Sequence, residues 1–151
     1  MIQFARYNSP FGPIQIGYED AYIVSIRRCD ANDSSVPSPV STLAEMQLQE
    51  YFSGNRKSFD FPIRPVGTPF QQAVWQALQA IPYGEVRTYG QIAAAIGKPK
   101  AARAVGLACN KNPIWIAIPC HRVVGSNGKL TGYAGGLDMK CQLLELEKHF
   151  E

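Results

Sequence analysis

The stretch TYGQIAAAIGKPKAARAVGLACN, Thr88 to Asn110, decides how this chain of 151 residues is read. It opens on T-x-x-Q, the capping-box form in which a threonine hydroxyl and a glutamine side chain satisfy each other's free backbone N–H groups. This predicts a short helix running through Ile96 and closed by Gly97. Pro99 then starts a second helix after a turn of only a few residues. Two short helices joined by a brief Gly-containing turn have the form of a helix-turn-helix. The second is unusual in composition. Ala101, Ala102, Ala104, Gly106 and Ala108 leave it nearly bare, and Arg103 is its most prominent long side chain. Such a helix either packs closely in a core or brings its backbone against a duplex with one arginine projecting.

Charge favours the second reading. The net charge is +3, but residues 1–66 hold six Lys/Arg against seven Asp/Glu, whereas residues 67–151 hold nine against five. Between Glu85 and Asp138 there is no acid, only Arg87, Lys98, Lys100, Arg103, Lys111, Arg122 and Lys129. A run of this kind is often no more than a solvated face. Beside a bare helix it suits a polyanion, because each cation that neutralises a phosphate releases counterions.

Toward the C-terminus, Ile114 to Ile118 is an apolar run that predicts a buried strand leading into Pro119-Cys120-His121. Val123-Val124, the turn Ser126 to Lys129 with its Asn-Gly, and a return through Leu130-Thr131 predict a hairpin, which after a helix-turn-helix is a wing. Gly132 to Gly136 reads as a loop, and a last helix spans about Leu137 to His149. Toward the N-terminus, Gln3–Tyr7, Ile14–Tyr18 and Tyr22–Ile26 alternate as strands of a small antiparallel sheet. Residues 29–39 form a polar loop. Ser41 caps a helix with the stripe Ala44, Leu48, Tyr51 and Phe52, which Gly54 stops. Residues 58–69 run extended among three prolines. Thr68-Pro69 opens a further helix with Phe70, Val74, Ala77, Leu78 and Ile81 on one face. The expected class is α+β: a sheet-plus-helix unit over 1–60, a linker over 61–67, and a winged helix-turn-helix domain over 68–151.

Several classes are disfavoured. No apolar run approaches the roughly 18 residues of a membrane span, and the N-terminus lacks a signal-peptide pattern, so a cytoplasmic protein is expected. The four cysteines, Cys29, Cys109, Cys120 and Cys141, are then free thiols. With no C-x-x-C pair and only His121 and His149, no metal site and no cofactor is expected.

Cys109 and Cys141 read as packing on helix faces, and Cys29 less firmly so. Cys120 differs, because an apolar strand ends there at a proline with His121 adjacent. A thiol with a pKa of about 8.5 is mostly protonated at neutral pH. A histidine reached directly or through one water raises the reactive fraction by accepting the proton. Neighbouring strand side chains face opposite ways, so direct contact needs a kink at Pro119. A carboxylate would orient the base, and spacing leaves both Glu145 and Glu147 open.

Taken together, IPCHRVV (Ile118–Val124), NKNP (Asn110–Pro113), PKAARAVG (Pro99–Gly106) and YAGGL (Tyr133–Leu137) resemble the O6-alkylguanine-DNA alkyltransferases, the methylated-DNA–protein-cysteine methyltransferases. The likeness runs almost without a gap over residues 67–151. It implies direct-reversal repair of O6-alkylguanine, and of O4-alkylthymine, in double-stranded DNA by a monomer that acts once. Cys120 would take the alkyl group, His121 would draw its proton through a water, Glu147 would orient the histidine, and Asn112 would tie the helix pair to the reactive segment. Tyr89 would press on a phosphate, and Arg103 would fill the gap left by the extruded nucleotide. Lys100, Ala102, Gly106 and Arg122 complete the DNA face. Tyr133, Ala134, Gly135 and Trp115 would line the base pocket. The chain departs from the family pattern at Ala134, where many members carry serine, and at Trp115, whose bulk would narrow the pocket. Three rivals stand beside this reading: an alkyltransferase-like lesion binder, which would lack the cysteine; a winged-helix regulator, for which AARAVGLA offers few base-reading side chains; and a cysteine hydrolase.

Overall fold

The computed structural model describes residues 1–129 and 136–151, and the chain divides into two units. The first comprises Met1–Val66 with Pro113–Trp115, and the second Gly67–Asn112 with Ile116–Glu151.

In the first unit, β1 (Gln3–Ser9), β2 (Gly12–Glu19) and β3 (Tyr22–Arg28) form an antiparallel meander in the order β1-β2-β3. Alternation puts Ala5, Tyr7, Ile14 and Ile16 on the buried face, and a register shift at Gly17/Tyr18 accommodates the buried Ile23 and Ile26 of β3. That face is covered by α1 (Pro39–Phe52), which buries Ala44, Leu48 and Tyr51. The cap of α1 is Ser38 and not Ser41. Pro39 takes the first helical position, where its missing N–H costs nothing, and Ser41 is the third residue that closes a reciprocal capping box with Ser38. Gly54, at φ 83°, ends the helix.

The stretch read as a linker is partly sheet. The Ile23 N–H donates to Pro62 O at 2.9 Å and the Arg64 N–H to Ile23 O at 2.8 Å, so Ile63 pairs in parallel with β3. Prolines are tolerated there because an edge needs only alternate donors. Further along the same edge, Ile114 bridges Ile26 in parallel. The run Ile114–Ile118 is therefore not a continuous strand. Ile116 adopts φ 74°, and residues 116–117 turn. Its isoleucines are buried at alternate positions, a pattern that resembles a strand until the turn is seen.

The second unit opens with α2 (Pro69–Gln79), capped by Thr68 as expected, with Gln71 closing the capping box and Val74 and Leu78 buried. Trp75, outside the predicted stripe, is buried as well, and its Nε1 donates to Ala108 O at 2.9 Å. Next come β4 (Arg87–Thr88), α3 (Tyr89–Ala95) and α4 (Ala102–Asn110). Thr88 and Gln91 make the capping box of α3. Its end is a Schellman motif: the Lys98 N–H donates to Ala93 O and the Gly97 N–H to Ala94 O, with Gly97 at φ 78°. The helix begins at Ala102 and not at Pro99, because residues 98–101 are used to reverse the chain, closed by the Ala101 N–H on Lys98 O. A 3₁₀ turn (Cys120–Arg122) leads into β5 (Val123–Val124), which pairs in parallel with β4, and α5 (Leu137–Phe150) completes the unit. After β5, the Gly125 N–H donates to Lys129 O at 2.8 Å, closing a turn. The predicted return strand through Leu130 and Thr131 lies outside the described residues. Among the described residues no helix is long and apolar enough to cross a membrane.

Candidate active site

Pro119, at φ −82° and ψ 64°, breaks the extended run, and the next three residues coil into a 3₁₀ turn. At that turn Cys120 and His121 leave the alternation of a strand. Cys120, His121 and Arg122 are all buried, as is Glu147 on α5.

Asn112, just beyond the end of α4, is buried and donates from Nδ2 to Ile118 O at 2.8 Å and to Cys120 Sγ at 3.2 Å. One amide thus holds the approach to the turn and places a donor on the sulfur, a contact that favours a sulfur bearing negative charge. His121 Nε2 lies 2.7 Å from Glu147 Oε2. Arg122 donates from Nε to Glu147 Oε1 at 2.8 Å and from Nη2 to Oε2 at 2.9 Å. The Gly84 N–H adds a longer bond to Oε1 at 3.2 Å. Spacing left Glu145 and Glu147 open; Glu145 is exposed on α5, and Glu147 is the carboxylate on the histidine.

The protonation pattern follows from these bonds. Burial alone would raise the Glu147 carboxyl, but hydrogen bonds from His121 and Arg122 hold it well below the usual carboxylate range. Burial pushes the His121 imidazole down, and the Glu147 contact does not reverse the shift. An ionised carboxylate only accepts, so Nε2 carries the hydrogen. The neutral ring then has its lone pair on Nδ1, which has no hydrogen-bond partner among the described residues. The residue following Cys120 is thus a histidine whose basic nitrogen is unclaimed by the described residues.

This arrangement excludes one assignment. Arg122 does not face DNA. It is 6% exposed, spends two donors on Glu147 and a third on Ile81 O at 2.7 Å, and stands over the Tyr83 ring at 5.7 Å. Its charge compensates a buried carboxylate and is not part of the basic surface.

The model of the 6-O-methylguanine DNA methyltransferase DNA-binding domain matches residues 69–149, and that of the 6-O-methylguanine DNA methyltransferase ribonuclease-like domain matches residues 2–65. The chain belongs to the 6-O-methylguanine DNA methyltransferase family. A methylated-DNA–protein-cysteine methyltransferase of Methanosarcina acetivorans is 51% identical over 95% of this chain and 97% of its own length. The O6-methylguanine methyltransferase of Mycobacterium tuberculosis has a crystal structure that superposes with a TM-score of 0.90 at 45% identity, covering 100% of this chain and 95% of that one. The same bacterium's protein in complex with DNA gives a TM-score of 0.90 at 47% identity, covering 97% and 93%.

Within this methyltransferase fold, α3 and α4 border a groove of about 670 Å³ lined by Tyr89, Ala102, Arg103, Gly106, Leu107 and Ser126, among others. Arg103 is exposed, while Tyr89, Ala102 and Gly106 are half-buried. Lys100 is exposed but does not line the groove, nor does Cys120. Trp115 groups with the first unit, its N–H on Ile26 O at 3.1 Å. Tyr133, Ala134 and Gly135 lie outside the described residues. Among the described residues no three His, Cys, Asp or Glu side chains converge as a metal site would require. Two participants escaped the sequence reading: Arg122 as the partner of Glu147, and Lys140, fully buried on α5. The i, i+7 spacing of Lys140 and Glu147 on one helix was the only hint of the second.

Proposed function

We propose that this protein repairs O6-alkylguanine in double-stranded DNA by moving the alkyl group to its own Cys120. The observation that carries the reading is the His121–Glu147 bond, which leaves Nδ1 of the residue following Cys120 as the basic lone pair. His121 takes the thiol proton through a bridging water. Asn112, already donating to the sulfur, stabilises the thiolate. The thiolate attacks the alkyl carbon, the S–C bond forms as the C–O6 bond breaks, and the released proton ends on guanine N1. The product is a thioether with no hydrolytic route back, so each molecule acts once.

The lesion oxygen lies on the base-pairing edge, so the nucleotide has to leave the stack, at a cost of a few kcal/mol that is least for a damaged pair. The bare face of α4 would allow close approach to the duplex, Arg103 would fill the vacated stack, and Tyr89 would press on a phosphate. Lys100 adds an exposed charge. The turn closed between Gly125 and Lys129 supports a wing after β5. Tyr133 and the Ala134–Gly135 backbone would bound the base pocket. The protein would act as a cytoplasmic monomer.

The test is the intact mass after incubation with a duplex holding O6-methylguanine. One methyl on Cys120, and none in Cys120→Ala, is expected. No gain by the wild type would favour a lesion binder or a regulator, and repeated turnover of an ester would favour a hydrolase.

A further inference from the structure

One face of α4 mixes positive charge with bare hydrocarbon. Arg103, Gly106, Leu107 and Asn110 stand at i, i+3, i+4 and i+7, and all four line the groove shared with α3. The other face of the helix is spent on the core, where Val105, Ala108 and Cys109 are buried. Leu107 is 66% exposed, so most of its apolar surface is left in water. A single exposed leucine is ordinary and calls for no function by itself.

The surroundings of Leu107 single it out. It lines two hollows, the groove shared with α3 and a smaller one of about 290 Å³ that α4 shares with Phe70 and Gln71 of α2. One helical turn before it stands Arg103 and one turn after it Lys111, both exposed. The order is cation, hydrocarbon, cation, over about 12 Å of helix. No acid occurs in the sequence between Glu85 and Asp138 to interrupt that order. Charge complementarity selects the occupant. A lipid surface takes up a broad apolar face, and a protein interface has an apolar centre, whereas this face offers one leucine between cations. A nucleic-acid strand presents the complement: anionic phosphates with the carbon of a sugar between them.

We propose that Leu107 is a DNA-contact residue, whose side chain packs on deoxyribose carbon one helical turn from Arg103. This rests on the reading of the protein as one that acts on duplex DNA. Phosphate contacts weaken as salt rises, because each of them releases counterions, while the burial of hydrocarbon carries no such dependence. Leu107 therefore supplies a part of the affinity that salt does not remove, and the cations around it supply the part that salt does. Its contribution is also indifferent to sequence, since every nucleotide offers the same sugar. That suits a protein that must search undamaged DNA.

The experiment titrates full-length wild type, Leu107→Ala and Leu107→Met against one fluorescein-labelled undamaged duplex, from about 50 to 200 mM sodium chloride. Thermal melts verify folding, which alanine favours because it is the better helix former. Leu107→Ala should bind about tenfold more weakly at every salt concentration, with the slope of log K against log salt unchanged. Leu107→Met keeps the hydrocarbon and should bind like wild type. Equal affinity for Leu107→Ala and wild type across the salt series overturns the proposal. So does a loss that comes with a smaller slope, because the leucine would then act through the cations. A variant that binds DNA like wild type but sediments differently assigns Leu107 to a contact between copies, and overturns it as well. Methyl transfer keeps this apart from the repair reading. A wild type that loses affinity on Leu107→Ala yet takes no methyl from a duplex holding O6-methylguanine would sink repair and keep the contact. One that takes the methyl, with Leu107→Ala binding equally, would do the reverse.

Discussion

Arg122 holds Glu147 through both carboxylate oxygens, at 2.8 and 2.9 Å, while one of those oxygens also takes His121 at 2.7 Å. The arginine fixes the carboxylate, the carboxylate fixes the imidazole tautomer, and the tautomer leaves the buried Nδ1 as the basic nitrogen. Glu147→Gln breaks that order at its centre. It should slow methyl transfer by about 10–100-fold, as loss of an orienting partner does. It should also lower the unfolding free energy by about 3–5 kcal/mol, because Arg122 stays buried without its counter-ion. Single-turnover kinetics and urea unfolding measure the two effects.

Arg122→Leu distinguishes a buried compensating charge from a DNA contact. Removing it leaves Glu147 buried and uncompensated, so stability should fall by about 3–5 kcal/mol. The salt dependence of DNA binding should not change. A true phosphate contact such as that expected of Lys100 should reduce the slope of log K against log salt by about one when replaced by alanine. A reduced slope in Arg122→Leu would return this residue to the interface.

Stability should fall as the solution becomes acidic, in two stages. His121 is depressed from 6.5 in the folded protein, so below that pH the unfolded chain takes up a proton that the native state refuses. The unfolding free energy therefore declines from about pH 7 downward, by at most about 1.4 kcal/mol per pH unit for one proton. Glu147 is depressed from 4.5, so its contribution is complete above that value and is lost as pH falls toward its native pKa. Urea midpoints at pH 7.5, 6.5, 5.5 and 4.5 check the sign. Stability rising between pH 7.5 and 5.5 would mean that His121 is charged in the native state.

Arg103→Ala should separate binding from chemistry. Methyl transfer from the modified free base should stay within about twofold of wild type, because no nucleotide has to be unstacked. Transfer from duplex DNA should fall about 100-fold, which corresponds to the few kcal/mol that unstacking costs. Equal losses on both substrates would remove Arg103 from the flipping step.

Gly106→Ala should set stability against binding. A Cβ there meets only the Tyr89 ring at 3.8 Å, an ordinary contact, and a helical glycine costs roughly 0.5–1 kcal/mol relative to alanine. The melting temperature should therefore rise. Affinity for undamaged duplex should drop by about tenfold, since the added methyl would occupy the face proposed to approach the duplex. A gain in both would make α4 small for internal packing alone.

What the sequence disclosed and what it hid divide along range. Caps at Thr68 and Thr88 and the glycine stops at Gly54 and Gly97 were readable because their partners lie within five residues. The meander was readable because alternation records which face of a strand is buried. Ile114–Ile118 misled because apolar alternation persists across a turn when Ile116 takes a left-handed conformation. Arg122 misled because a charge count cannot see a partner 25 residues away. Lys140 was invisible for the same reason: a lysine in the first turn of an amphipathic helix is ordinarily solvated, and only tertiary packing encloses it. Cys120 and His121 could be singled out as a pair, but the choice of Glu147 over Glu145 needed the packed helix.

The bond from the Trp75 indole to the Ala108 carbonyl gives the molecule an optical reporter of its own. Trp75 is shielded from solvent and fastened to the far end of the helix that carries Arg103, and the chain has only one other tryptophan, Trp115. With Trp115 replaced by phenylalanine, the emission maximum would follow the seating of that helix in real time, with no dye attached.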